Sequence, residues 1–378
     1  MARWERFNMF KAGAQYGILL VAVALIFEGA SLLFWKQYGI DRIAYHLRVN
    51  TNSAQFASVA NKWPSATEAP DSFLGWVPNR EHPWFTADGR RKSPSLPTTK
   101  KILAYGDSFV FGADVTEKES FPHQLSLMID DTVENFGVGG YGPDQAIIRL
   151  ERHLQSGKQS NLVILGMPSE NIARVVNVIR RLYIPLEGVH FAKPIFVKEG
   201  GQWRLVNDVP KWPPTTESLQ KLLDTARKYD LWHTQNEARP SAEFPYSLAS
   251  IQAFKFLGFD VLRWQDLYKN ERAVSTLRYI LRRFVGLSKR YNFTPVFVIV
   301  PMPEDLLRLR SHEDVFYSEF LELVRREFKN DLLVVNVLGQ AFDLERFHVR
   351  PFSGHASAYG NHVIATAIHE RIRPAIDD

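Results

Sequence analysis

From Lys101 onward the chain alternates short apolar runs with helical patterns, and this alternation limits its fold more than any other feature. KILAYG (101–106), VENFG (133–137), NLVILG (161–166), TPVFVIV (294–300) and LLVVNV (332–337) read as strands. Helical patterns fall at 117–130, 143–155, 271–291, 313–328 and 357–373. Strands separated by helices cannot close as hairpins, so the pattern predicts an α/β domain whose parallel sheet is covered on both faces. Ligand sites in such sheets lie at the carboxyl ends of the strands. The stretch 180–270 breaks the rhythm. FVKEGGQWRLV (196–206) predicts a β-hairpin turning at Gly200–Gly201, and 215–229 a polar helix. This region is read as an insertion placed to roof the site. Residues 62–100, rich in Pro, Ser and Thr, read as an extended, loop-rich approach.

With 378 residues the chain has room for one large α/β domain with an insertion. It is 45% hydrophobic and 23% charged, ordinary globular values that exclude bulk disorder. The net charge of +5 is spread along the chain, and no dense basic block with interleaved aromatics marks a nucleic-acid surface. The absence of cysteine excludes disulfides, thiolate metal sites and thiol catalysis, and suits an oxidising compartment.

Residues 12–35, AGAQYGILLVAVALIFEGASLLFW, are wholly apolar from Ile18 to Phe27. As a helix the run spans about 36 Å, enough to cross a bilayer. Gln15 and Glu28 lie toward its ends, and Trp35 and Tyr38 suit an interfacial belt. A cleaved signal peptide would be cut near Gly29–Ala30–Ser31, but the apolar stretch is long for one. Arg3, Arg6 and Lys11 before it nearly balance Lys36, Arg42 and Arg48 after it. A short N-terminal tail before a large domain favours the N-terminus inside and the domain exported. The expected organisation is therefore a cytoplasmic tail (1–11), a transmembrane anchor (12–35), a membrane-proximal lead-in (36–98) and a catalytic domain (99–378). Residues 36–60 are read as continuing as a short helix that leaves the membrane.

Four motifs carry chemistry. Gly106–Asp107–Ser108–Phe109 follows the first domain strand, where a serine can expose its hydroxyl beside free backbone N–H groups. Asn135–Phe136–Gly137–Val138–Gly139–Gly140–Tyr141–Gly142–Pro143 follows the second, with glycines that let backbone amides approach a substrate. Gly166–Met167–Pro168–Ser169–Glu170–Asn171 follows the third and offers an amide donor for a developing oxyanion. Gly354–His355–Ala356–Ser357–Ala358–Tyr359–Gly360–Asn361 opens the last helix, with an imidazole able to take a serine proton.

In this order and at these strand ends, the motifs resemble those of the SGNH (GDSL-type) hydrolase family over about residues 99–170 and 290–375. The stretch 72–95 resembles the lead-in of membrane-anchored members. The resemblance implies a flavodoxin-like three-layer α/β/α sandwich with five parallel strands, and neither metal nor organic cofactor. It implies Ser108 as nucleophile and His355 as general base. The backbone N–H groups of Ser108 and Gly140 and the side chain of Asn171 would form the oxyanion hole. One departure stands out: the family commonly has Asp three residues before its histidine, and Phe352 occupies that place, followed by Ser353. A histidine without its acid is a weaker base. A backbone carbonyl, Ser353 or a distant carboxylate is left to take that role.

Other features read more plainly. Glu345 and His348, in E-x-x-H spacing, are expected to be a surface pair. His355, His362 and His369 recur every seven residues, about 10 Å apart along a helix, too far to share one metal ion. Asp107 is expected to support its turn, and Asp144 and Gln145 to begin a helix. The tryptophans Trp76, Trp84, Trp203, Trp212, Trp232 and Trp264 are expected in the core, or on sugar rings if they line a cleft. The resulting expectation is a membrane-anchored serine esterase acting on an O-acylated cell-envelope glycan. An O-acyltransferase shares its first half-reaction. An inactive subunit of a membrane complex is the alternative that Phe352 raises, and a glycan-binding module is a third.

Overall fold

The computed structural model describes residues 2–39, 49, 66–94, 96–97, 99–184, 192–339, 342–349 and 354–376. Most of 36–60, and Phe352 and Ser353, therefore lie outside the described residues, as does the side chain of Tyr38. The strands in chain order are β1 (Glu68–Asp71), β2 (Gly75–Pro78), β3 (Ile102–Gly106), β4 (Val133–Gly137), β5 (Leu162–Pro168), β6 (Ile195–Glu199), β7 (Gln202–Val206), β8 (Thr294–Val300) and β9 (Leu333–Asn336). The helices used below are α1 (Ala2–Phe34), α2 (Ser108–Phe111), α3 (Phe121–Ile129), α4 (Pro143–Gln155), α5 (Thr216–Tyr229), α6 (Leu231–Ala238), α7 (Tyr246–Lys255), α8 (Glu271–Tyr291), α9 (Pro303–Arg310), α10 (Ser318–Phe328) and α11 (Ala358–Ile376).

Five strands form one parallel sheet in the order β4-β3-β5-β8-β9. The chain runs from β3 outward to β4 and then crosses back to β5. The strand order reverses there, and the loops after β3, β4 and β5 gather around that crevice. Side chains alternate onto two cores. Leu103 and Tyr105, Val163 and Leu165, and Phe297 and Ile299 face one side with residues of α4, α8 and α10. Ile102 and Ala104, Leu162 and Ile164, and Val296 and Val298 face the other with α3 and α11. Burial on both faces makes these strands continuous apolar runs. The result is the expected α/β/α sandwich.

The approach segment differs from its loop-rich expectation, for β1 and β2 pair as an antiparallel hairpin. The Asp71 carboxylate accepts the N–H groups of Phe73 and Leu74 at 2.8 and 2.7 Å, and buried Leu74 and Trp76 anchor the hairpin to the domain. The hairpin at 195–206 forms as expected across Gly200–Gly201. It packs on α8, with Trp203 stacked on Tyr279. Asp230, at the head of α6, caps the N–H groups of Val178 and Ile179 at 2.7 and 2.9 Å. The insertion is thus seated on the α8 side of the sheet.

Among the described residues one helix, at Gly13–Gln37, is long and apolar enough to cross a membrane. Its side chains from Ile18 to Leu25 are exposed.

Candidate active site

Ser108 opens α2 directly after β3. The turn is held by Asp107, whose side chain accepts the Phe109 N–H at 2.9 Å, a helix N-cap. This close turn needs Gly137 on the neighbouring strand, since a Cβ there would collide with the backbone of Val110 and Phe111.

Ser108 Oγ lies 2.9 Å from His355 Nε2, and His355 Nδ1 lies 2.7 Å from Asp114 Oδ2. A carboxylate only accepts, so the Nδ1 hydrogen faces Asp114 and the Nε2 lone pair faces the serine hydroxyl. The two residues expected to react together are therefore in hydrogen-bond contact. The carboxylate comes from a residue that sequence reasoning missed, six positions after the serine. Asp114 adopts a left-handed conformation, with φ of 64°. Aspartate tolerates that region better than most residues. Arg91, from the lead-in, holds the loop that presents it. Its guanidinium donates to the carbonyls of Phe111, Gly112 and Val115 at 2.5, 2.8 and 2.9 Å.

Gly140 lies in the turn after β4 with φ of 77°, a conformation only glycine takes freely. The preceding carbonyl, that of Gly139, accepts from the Trp76 indole N–H at 2.9 Å. In a trans peptide the Gly140 N–H points the opposite way, and among the described residues it has no hydrogen-bond acceptor. Tyr141 donates its hydroxyl to the Trp76 carbonyl at 2.6 Å, so the β1–β2 hairpin fixes this turn from both sides.

Asn171 follows β5 and is buried. Its Nδ2 donates to Asp107 Oδ2 at 3.0 Å. The carboxylate dictates the amide's orientation, and one of the two Nδ2 hydrogens remains for another acceptor. Arg174, also missed, donates to the same Asp107 oxygen at 3.1 Å and to the Tyr141 carbonyl at 2.9 Å. It also pairs with Glu170 at 3.1 Å. Burial pushes the Asp107 carboxyl above its ordinary range, and Arg174 opposes that shift. One buried ion pair thus ties together the loops after β3, β4 and β5.

The remaining candidates fall elsewhere. Glu345 is ion-paired with Arg310, and His348 is buried, with Nε2 3.1 Å from the Pro301 carbonyl. His362 is exposed on α11, beside Gln124. Asp144 and Gln145 begin α4 as expected, and Asp144 also forms a buried ion pair with Lys193. Trp76, Trp232 and Trp264 are buried. Trp84 alone of the six tryptophans is exposed and lines a cleft of about 910 Å³ beside Asp114, with Arg91, Lys92 and Phe111. The wall next to Asp114 is therefore built from the lead-in.

No protein-family model matches the chain, and no curated protein matches it. Among solved structures the chain is similar to a protein described as lipolytic, of the G-D-S-L family, from Desulfitobacterium hafniense. The TM-score is 0.38 at 13% identity, over 72% of this chain and 99% of that one. It is also similar to LAE5, described as an alpha/beta hydrolase enzyme from the metagenome of Lake Arreo, with TM-score 0.36 and 12% identity over 73% of this chain and 95% of that one. A third is a member of the lipolytic protein G-D-S-L family from Veillonella parvula, with TM-score 0.31 and 10% identity over 71% of this chain and 96% of that one.

Proposed function

We propose that this chain is a membrane-anchored serine esterase that cleaves O-acyl esters through an acyl-enzyme at Ser108. The observation that carries the reading is the continuous Ser108–His355–Asp114 hydrogen-bond chain at the sheet's switch point. Ser108 Oγ attacks the acyl carbonyl as its proton passes to His355 Nε2. The Asp114 carboxylate holds the Nδ1–H and stabilises the imidazolium that forms. The Ser108 and Gly140 N–H groups and the free Nδ2 hydrogen of Asn171 take the oxyanion. His355 then returns the proton to the departing alcohol. Water, activated by the same imidazole, releases the acid.

Asp114 also supports an active enzyme over an inactive subunit, because it supplies the carboxylate missing at Phe352. The cleft beside it favours a glycan ester: exposed Trp84 offers a face for a sugar ring, with Arg91 and Lys92 on the same wall. In a transferase the acyl group would pass from Ser108 to a sugar hydroxyl, freeing the serine, so the acceptor is read at the second step. On the anchoring reading, α1 holds the domain at the membrane, with the short tail inside and the domain exported.

The test is treatment of the full chain in detergent with a fluorophosphonate, followed by peptide mass spectrometry. The expected adduct is on Ser108, absent from Ser108→Ala. A folded protein that takes no label would overturn the reading. With an acetyl ester as substrate, release of acetate without added sugar identifies the hydrolase, and turnover only with sugar identifies the transferase.

Trp76→Phe tests the oxyanion hole from a distance. It keeps an aromatic ring but removes the indole N–H and frees the Gly139 carbonyl, so the Gly140 N–H loses its fixed direction. The expected result is about a tenfold fall in kcat with KM little changed, well short of the loss of an oxyanion donor outright. A change confined to KM would show that this turn binds the substrate and does not stabilise the transition state.

A further inference from the structure

α7 and the turns flanking it expose many large apolar side chains, beside the exposed Gln252 and Lys255. Between Phe244 and Phe259 six large apolar side chains are exposed: Phe244, Leu248, Ile251, Phe254, Leu257 and Phe259, three of them by 75% or more. Large apolar side chains exposed together on a surface in water are costly and mark an interaction site.

What covers it is indicated by the helix it packs against, the last turns of α1. Glu28 accepts the N–H groups of Tyr246 at 2.6 Å and Ser247 at 2.9 Å, so a side chain of α1 caps α7. Trp35 packs on Ala249 and Ala253, and its indole N–H donates to Ser250 Oγ at 3.1 Å. It is therefore sealed under α7, where the sequence suggested an interfacial belt. Ser250 in turn donates to the Tyr246 carbonyl at 2.9 Å. This bonding lowers the cost of leaving water: the Tyr246 and Ser247 amides at the head of α7 are satisfied by the Glu28 carboxylate. The small residues at 249 and 253 allow the close approach.

The order of contacts sets the depth. Glu28 meets residues 246–247 and Trp35 meets 249–253, so α7 advances along α1 in the same direction. Glu28 lies about two turns, or about 10 Å, inside Trp35. Phe244 enters at that inner level, while Lys255, paired with Asp260 at 3.7 Å, emerges at the outer end where charge meets headgroups.

We infer that residues 244–259 form a second membrane element, seated in the headgroup–acyl boundary of a lipid bilayer against the outer end of α1. The inference rests on the reading that α1 spans a membrane. It would hold the catalytic domain by two points and fix its orientation over the lipid surface, where a single helix would let it swivel.

The chain has no cysteine, so single-cysteine variants carry one label without background. Leu20→Cys in α1, Phe254→Cys and Phe259→Cys in the segment, and Leu127→Cys on an exposed part of α3 are made in the full chain. They are labelled with an environment-sensitive nitrobenzoxadiazole and reconstituted in phosphatidylcholine–phosphatidylglycerol vesicles. Labels at 20, 254 and 259 are expected to blue-shift and be quenched by doxyl lipids, while the label at 127 is quenched by aqueous iodide. Lipid quenching at 20 with iodide quenching at 254 and 259 overturns the inference and leaves the anchor standing. Iodide quenching at 20 removes both. Shielding of 254 and 259 from both quenchers places a second copy of the chain on the patch and overturns the lipid assignment.

Discussion

Alanine at His355 should lower the rate of ester turnover about a millionfold, and Ser108→Ala together with it should cost no more, because the two act as one unit. The 2.9 Å contact between Ser108 Oγ and His355 Nε2 is the basis: without the imidazole, the hydroxyl must lose its proton to water. Asp114→Asn should be milder, about 100- to 1000-fold, because asparagine can neither hold the Nδ1–H as a charged acceptor nor stabilise the imidazolium. The discount reflects exposure: the Asp114 side chain is 45% accessible, so water can stand in for part of its role. Asp114→Glu should recover part of the loss, which a merely structural role for this loop would not produce. Single-turnover kinetics with a chromogenic acetyl ester would check the series. An Asp114→Asn rate within about twofold of wild type would mean that the histidine works as an unsupported dyad.

Much of this molecule is legible in its sequence, and the parts that are not share a cause. Thr294–Val300 is read with its observed bounds, because a strand buried on both faces leaves an uninterrupted apolar run. Ser108 and His355 can be singled out from the sequence because each sits in a short motif at a strand end or helix start, a local feature, and the structure brings the two within 2.9 Å. Asp114 leaves no such trace. It pairs with a residue 241 positions away, and what makes it serviceable is a left-handed backbone clamped by Arg91, a partner in a segment that reads as a loop-rich lead-in. Looking three residues upstream of the histidine for an acid could not find a carboxylate delivered from the serine's own loop. Trp76 is hidden in the same way: its contribution is one hydrogen bond to the carbonyl before Gly140, across 63 positions. α7 misleads in the opposite direction, since it reads as part of an insertion near the site, and its apolar surface makes sense only once the outer end of α1 is beside it.

Replacing Arg174 with methionine should destabilise the domain by about 3–5 kcal/mol, because it leaves the Asp107 carboxylate buried without its cation. The side chains are 6% and 0% exposed, so little water can compensate. The loss should depend on pH, with a definite sign. Burial already raises the Asp107 carboxyl above its ordinary value, and removing Arg174 removes the largest opposing influence. A carboxyl raised in the folded state contributes stability below the unfolded-state value and loses it as pH rises through the folded-state one. The gap between variant and wild type should therefore be small at acid pH and widen upward from the ordinary aspartate range. Urea midpoints of the full chain in detergent, followed by tryptophan fluorescence, would show it, and a gap that does not change with pH would mean that Arg174 matters for packing and not for charge. Adding Asp107→Asn should recover much of the stability. Its amide can still cap Phe109 through Oδ1, and its Nδ2 can face Asn171 once that side chain turns, since the buried Asn171 Oδ1 has no partner among the described residues. That turn carries the Asn171 Nδ2 hydrogens away from their present direction. The double variant should then fold nearly as well as wild type and still acylate slowly, separating the part of the ion pair that holds the loops together from the part that aims an oxyanion donor.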